Sequence, residues 1–292
     1  MTEFHLFLPQ MRMRMETIVE RAQAAEAAGF TGIAFMDHLA PPNADGHPMF
    51  DAMATAGWVA AHTSTLIVGH LVLCDPFRQP AVLAKDAVTL DHASGGRFEL
   101  GIGSGSVAAE LTRFGIEVGG KRVDRLAETL DVLKLLWSGE QFDYDGRFHR
   151  LRGAQQLPVP TRRIPILIGG GGPRTMELVA RHADWWNLPG NIADKLEELR
   201  PSAGSARASL QTIVGYIGDE SHREEVTTLA TRRFGWAASG KAMAVGTGPE
   251  LVEQLSALAE SGVERFYTWF TDFAAADSIK GFGAEVIGAV GG

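Results

Sequence analysis

Two glycine-rich stretches and one acid–histidine pair are the residues whose types and spacing could do chemistry. The segment Ile166-Leu167-Ile168-Gly169-Gly170-Gly171-Gly172-Pro173-Arg174-Thr175 passes from an apolar run through glycines into a proline-led helical stretch. Amides left free at a helix start, with the positive end of the helix dipole behind them, suit a phosphate. Gly169, Gly170, Gly171 and Gly172 would let a ligand approach the backbone, Arg174 could add a charge and Thr175 a hydroxyl. The alternative reading is a plain turn before the helix. The spacing matches neither a Walker loop nor the dinucleotide GxGxxG pattern. A second run, Gly101-Ile102-Gly103-Ser104-Gly105-Ser106, could bring Gly103, Ser104, Gly105 and Ser106 to the same cofactor, or could simply be a tight turn.

Asp37-His38 is the acid–base candidate. A histidine exchanges protons near neutral pH, and Asp37 could orient or polarise His38. Against this stands a structural reading, in which Asp37 caps a turn and His38 only lines the interior. For substrate contacts the sequence offers Met11, in a loop where Met11, Met13 and Met15 alternate with Arg12 and Arg14, and His47 further on. It also offers Trp186 and Asn187 of Trp185-Trp186-Asn187, with core packing as the alternative for at least one tryptophan. No HxH or HExxH pair points to a metal, and no GxSxG elbow points to a serine nucleophile. A borrowed cofactor is then the economical source of chemistry.

These groups need a scaffold that brings them together. Short apolar runs alternate with amphipathic ones along the chain, the pattern of repeated strand–helix units and a parallel sheet. Strands are predicted at 4–9, 32–36, 66–73, 98–102, 164–168, 184–188, 212–217 and 265–270, with helices between them at 17–28, 51–61, 80–92, 123–137, 173–182, 192–208, 224–238 and 249–261. Eight strands suggest a closed (β/α)8 barrel with function on the loops after the strand C-termini, and an open doubly wound sheet is the alternative. Residues 138–163 read as an insertion after the fourth helix, holding a hairpin of 141–144 and 148–151 around Asp145-Gly146. The whole of 1–292 is expected to form one domain.

Composition narrows the class. With 45% hydrophobic residues, 21% charged residues and a net charge of -8, the chain reads as globular and unsuited to nucleic acid, which calls for clustered Lys and Arg. The one cysteine, Cys74, excludes an intrachain disulfide. The start MTEFHLFLPQ has no signal-peptide pattern and no run reaches membrane-spanning length, so a cytoplasmic protein without membrane partners is expected.

Taken together, the motifs resemble the luciferase-like superfamily of flavin- and deazaflavin-dependent oxidoreductases. The resemblance covers most of the chain. It is carried by Phe35-Met36-Asp37-His38, by Pro80-Ala81-Val82-Leu83-Ala84-Lys85 leading to Leu90-Asp91-His92-Ala93-Ser94-Gly95-Gly96-Arg97-Phe98, and by Leu100 to Gly105 with Glu110 and Phe114-Gly115. Arg122-Val123-Asp124-Arg125, Leu136-Trp137-Ser138-Gly139, Ala180-Arg181-His182-Ala183-Asp184 and Val245-Gly246-Thr247 add to it. What it implies is a TIM barrel that holds coenzyme F420, or alternatively FMN, at the strand C-termini. It further implies a non-proline cis peptide at Leu71-Val72 supporting the cofactor ring, with the glycine runs on its tail. The wording favours the F420 branch, in which hydride passes between F420 and a small organic substrate. The alternatives are an FMN-dependent monooxygenase served by a flavin reductase, and a non-catalytic flavin-binding protein; a homodimer is compatible with each. In the sugar-phosphate dehydrogenase of the F420 branch an acidic proton donor follows the strand-four glycines, whereas this chain has Ser106 there.

Overall fold

A computed structural model describes residues 2–42, 44–238 and 242–290. In chain order the elements are β1 (Glu3–Phe7), α1 (Met15–Ala27), β2 (Gly32–Phe35), α2 (Ala52–His62), β3 (Ile67–His70), β4 (Leu73–Cys74), α3 (Pro80–Ser94), β5 (Leu100–Gly103), α4 (Ala108–Arg113) and α5 (Arg122–Trp137). There follow β6 (Phe142–Asp145), β7 (Arg150–Ala154), β8 (Ile166–Gly169), α6 (Pro173–His182), β9 (Trp185–Leu188), α7 (Leu196–Leu199) and β10 (Arg207–Tyr216). The chain continues with α8 (Arg223–Ala238), β11 (Met243–Gly246), α9 (Gly248–Glu260), β12 (Arg265–Phe270), α10 (Ala276–Phe282) and α11 (Gly288–Val290).

The large sheet is parallel and runs β3-β2-β1-β12-β10-β9-β8-β5-β4. Its two ends belong to one stave, because β3 and β4 are separated only by Leu71 and Val72. The closing contact is a parallel bridge between Val68 and Phe98, in which Val68 N donates to Arg97 O (2.8 Å) and Glu99 N to Val68 O (3.1 Å). The result is an α/β barrel of the TIM type. Helix ends follow local chemistry. Asp51 accepts the Ala54 amide at the start of α2, and Gly95, at φ 68, ends α3 in the left-handed conformation that costs a residue without Cβ least.

Strand alternation sorts side chains into two layers. Phe4, Leu6, Ile33, Phe35, Leu100, Ile102, Ile168 and Trp186 face the helices, where they pack with Ile18, Leu83, Leu130 and Val179. Phe7, Ala34, Met36, Leu71, Leu167, Trp185 and Tyr267 fill the barrel interior. Toward the strand N-termini the interior turns polar. Arg265, 1% exposed, donates to Glu99 (2.6 Å) and Glu3 (2.5 Å), with its guanidinium 3.7 Å from the Trp185 ring centroid. Burial pushes the Glu3 carboxyl up, but the His5 hydrogen bond and the Arg265 charge outweigh it and bring it down to about 2.

Two elements depart from the sequence expectation. The helix predicted at 192–208 is instead a set of short turns and α7, ending at Ala203. Pro201 lacks an amide donor and Gly204 turns the chain at φ 61, after which 207–210 pair with β9. Strand β10 is therefore longer than the predicted 212–217. Its first half pairs with β9 and its last four residues with β11, a strand absent from the expected eight. The predicted hairpin is present as β6–β7, anchored where the Glu128 carboxylate of α5 accepts the amides of Arg147, Phe148 and His149 at 2.8–3.1 Å.

Candidate active site

The loops after β1, β2, β4, β5, β8 and β9 form the C-terminal mouth of the barrel, the face on which such barrels place their chemistry. Gln10 ties the first two loops together: its side-chain oxygen accepts the Met36 amide at 3.2 Å and its nitrogen donates to Phe50 O at 3.0 Å. Met11, 9% exposed, bridges Met49 across these loops, while His47 sits on an exposed turn of the second.

His38 is oriented by a carboxylate, but not by the one expected. Its Nδ1 lies 2.8 Å from Glu110 Oε2, and Glu110 Oε1 accepts the amides of Leu39 (2.7 Å) and Ala40 (3.2 Å). The Asp37 carboxylate is occupied elsewhere. It accepts the Cys74 amide at 2.9 Å and two Arg78 hydrogen bonds at 2.5 and 3.3 Å, which lock the end of β2 to β4. Burial pushes Asp37 up against the opposing Arg78 charge, and burial together with Asp37 pushes the Cys74 thiol up to about 12, far from a reactive thiolate. Glu110 belongs to α4, a short helix without the periodicity that marks a helix in sequence, which is why its partnership with His38 was not legible there.

Leu71-Val72 is a cis peptide, as the resemblance implied. The Val72 side chain fills space that Gly103 leaves, since a Cβ there would stand 2.8 Å from Val72 Cγ2, and it lies in ordinary contact range of Gly169, where a Cβ would stand 3.4 Å from Val72 Cγ1. The two glycine runs therefore converge on this bulge. Ser104 and Gly105 are half-buried beside it and Ser106 is exposed. In the Gly169–Gly172 run, Gly170 takes φ 129, donates to Asn187 O (3.0 Å) and accepts the Trp186 indole N–H (2.7 Å). Gly172 caps α6 with no side-chain cap, and a Cβ there would meet only Thr175 Oγ1 at 3.9 Å. A Cβ on Gly171 would instead stand 2.8 Å from Ile192 Cδ1 and 2.9 Å from Leu199 Cδ1, and the first-turn amides of α6 lack intrahelical partners, a donor set that suits a phosphate.

Two of the expected contacts, Trp186 and Arg174, are placed differently. Trp186 is fully buried in the helix-facing layer, because strand alternation turns it away from the interior that its neighbours face; it braces the glycine loop and cannot wall a substrate. Asn187 does face inward, 4% exposed, accepting from Ser209 Oγ at 3.1 Å. Arg174 is exposed and paired with Asp124 of α5, so its charge is partly spent before any phosphate arrives.

Fold and mouth together define a TIM barrel with a glycine-rich corner after β8 and a carboxylate-held histidine after β2. The chain belongs to the luciferase-like monooxygenase family, whose model matches residues 2–214. It is 32% identical over 225 residues to an F420-dependent glucose-6-phosphate dehydrogenase of Microbacterium testaceum, covering 73% of this chain and 66% of that protein. It is 31% identical over 207 residues to an F420-dependent hydroxymycolic acid dehydrogenase of Mycobacterium tuberculosis, covering 69% and 57%. The chain thus spans less than two thirds of the length of either relative. Its fold matches an F420-dependent secondary alcohol dehydrogenase solved with an F420-acetone adduct (TM-score 0.83, 20% identity, 99% of both chains). It also matches the monooxygenase RslO1 of Streptomyces bottropensis (TM-score 0.83, 18% identity, 98% and 99%). Among the described residues no helix is long and apolar enough to cross a membrane.

Proposed function

We propose that this chain is an F420-dependent oxidoreductase that moves hydride between the deazaflavin and a small organic substrate, with His38 as the acid or base. The observation that carries this reading is the His38–Glu110 pair at the barrel mouth, on the stave beside the Leu71-Val72 bulge. The F420-dependent names of the two curated relatives support the choice of cofactor. When bound, F420 supplies a ring that accepts or donates hydride. The residues around it would do the rest. Val72 and Leu71 would support the ring, Ser104 and Gly105 would line its near side, and the amides of Gly171, Gly172 and Thr175 would take the tail phosphate. With Glu110 accepting from Nδ1–H, His38 is held in the tautomer whose Nε2 is left to exchange a proton with substrate. Ser106, in place of an acidic residue, argues against a sugar phosphate and leaves His38 as the proton-exchanging group.

Spectral titration of the purified protein with F420 and FMN tests the reading. F420 should bind, and His38→Ala should keep that binding while losing turnover. Tight FMN binding without measurable F420 binding overturns it. That outcome would favour the second reading, an FMN-dependent monooxygenase supplied with reduced flavin, which the family match and the RslO1 fold neighbour motivate. Oxygen consumption with reduced FMN distinguishes the two.

A further inference from the structure

At the end of the barrel opposite the mouth, two cavities of about 470 and 380 Å³ lie side by side and share Lys134 and Arg163 in their walls. Their remaining walls come from the C-terminal ends of α5 and α6 and from the segments that enter β8, β9 and β10, which places them on the N-terminal face, away from His38 and the glycine runs. The two differ in chemistry. The larger is walled by Trp137, Val159, Pro160 and Ile164, and the smaller by Arg181, His182, Asp184, Trp185, Ser205 and Arg207.

In the smaller cavity the arginines are matched by carboxylates, Asp184 of the same wall among them. Arg181 pairs with Asp131 at 3.1 Å, Arg163 with Asp184, and Arg207 with Glu264 at 2.8 Å, but no ion-pair or hydrogen-bond partner of Lys134 appears among the described residues. His182 is 4% exposed and neither ring nitrogen has a hydrogen-bond partner; Nε2 stands 3.8 Å from Asp131 Oδ1. A buried polar ring is normally paired, so an unpaired one that lines a cavity marks a place for a ligand atom. Burial and the adjacent Arg163 also hold the Lys134 ammonium below the usual lysine range, a shift that an anion would reverse.

We infer that the two cavities form one site for an amphipathic monoanion, its apolar body against Trp137 and Ile164 and its carboxylate between Lys134, Arg163 and His182. The inference is independent of the reaction at the mouth. Isothermal titration of the full chain with octanoate, octanol and acetate tests it, since the three separate body from head. Octanoate should bind at least tenfold more tightly than either of the others. Lys134→Glu should weaken octanoate at least tenfold and Lys134→Arg should retain it; Lys134 is exposed, and an unchanged melting temperature verifies folding. Trp137→Phe should diminish the tryptophan fluorescence change that octanoate causes, with Trp185 of the smaller cavity reporting the remainder, and F420 should not displace the bound octanoate. Equal binding of octanol or acetate, undiminished binding by Lys134→Glu, displacement by F420, or no octanoate binding at millimolar concentration would each overturn the proposal.

Discussion

Removing Glu110 should uncouple His38 from the barrel mouth by a measurable amount. Its carboxylate holds three donors, His38 Nδ1 at 2.8 Å and the amides of Leu39 and Ala40 at 2.7 and 3.2 Å, with side-chain exposure of 10% at Glu110 and 18% at His38. A hydrogen bond to a charged group contributes about 1.5–3 kcal/mol, and stranding a buried donor costs about 1–3 kcal/mol. Glu110→Ala strands all three donors, two of which can partly reach water, so a loss of about 3–5 kcal/mol is expected. Glu110→Gln keeps one accepting oxygen but turns an amide N–H toward donors, for a loss of about 1–2 kcal/mol. The pairwise share follows from a double-mutant cycle of Glu110→Ala with His38→Ala, measured by urea unfolding: the coupling should be about 1.5–3 kcal/mol. Sites that do not interact add to within about 0.5 kcal/mol, so a coupling below that limit would refute the assignment of Glu110 as the group that positions His38.

Three further outcomes follow from the same geometry. Gly103→Ala puts a Cβ 2.8 Å from Val72 Cγ2 and should cost about 1–3 kcal/mol of stability as well as weaken F420 binding, and adding Val72→Ala should restore part of both; a Gly103→Ala protein with unchanged melting temperature and affinity would show that Val72 does not fill the glycine gap. Trp186→Phe removes the indole bond to Gly170 O while keeping most of the packing, so stability should fall by about 1–2 kcal/mol and cofactor affinity should fall with it, whereas loss of turnover at full affinity would return Trp186 to the substrate wall. Burial holds His5 at about 4 and His70 at about 3, below the ordinary 6.5, so the unfolded chain takes up protons first and stability falls as pH drops from 6.5 toward 4. The slope should be about 1.4 kcal/mol per pH unit for each histidine, and a urea midpoint that stays flat across that window would contradict it.

The sequence by itself determined the alternation of strands and helices, because buried parallel strands must be short apolar runs and their covering helices must carry an apolar stripe. It also marked both glycine runs and the Leu71-Val72 bulge through resemblance, since glycine spacing at strand ends is a local backbone property. Tertiary structure decided what residues far apart in the chain do to one another. Asp37 is adjacent to His38 in sequence, yet successive strand-end residues point apart, so Asp37 turns to Arg78 and Cys74 while Glu110, from another loop, reaches the histidine. Trp186 and Asn187 are separated in the same way, one to the helix layer and one to the interior. Strand β11 was illegible because four residues paired along one edge carry too little pattern, and 192–208 misled because an apolar period survives there even where Pro201 and Gly204 break the backbone. Local propensity is written in neighbouring residues, whereas the partner of a side chain depends on barrel closure, which brings the ends of β3 and β5 together only once every stave is in place.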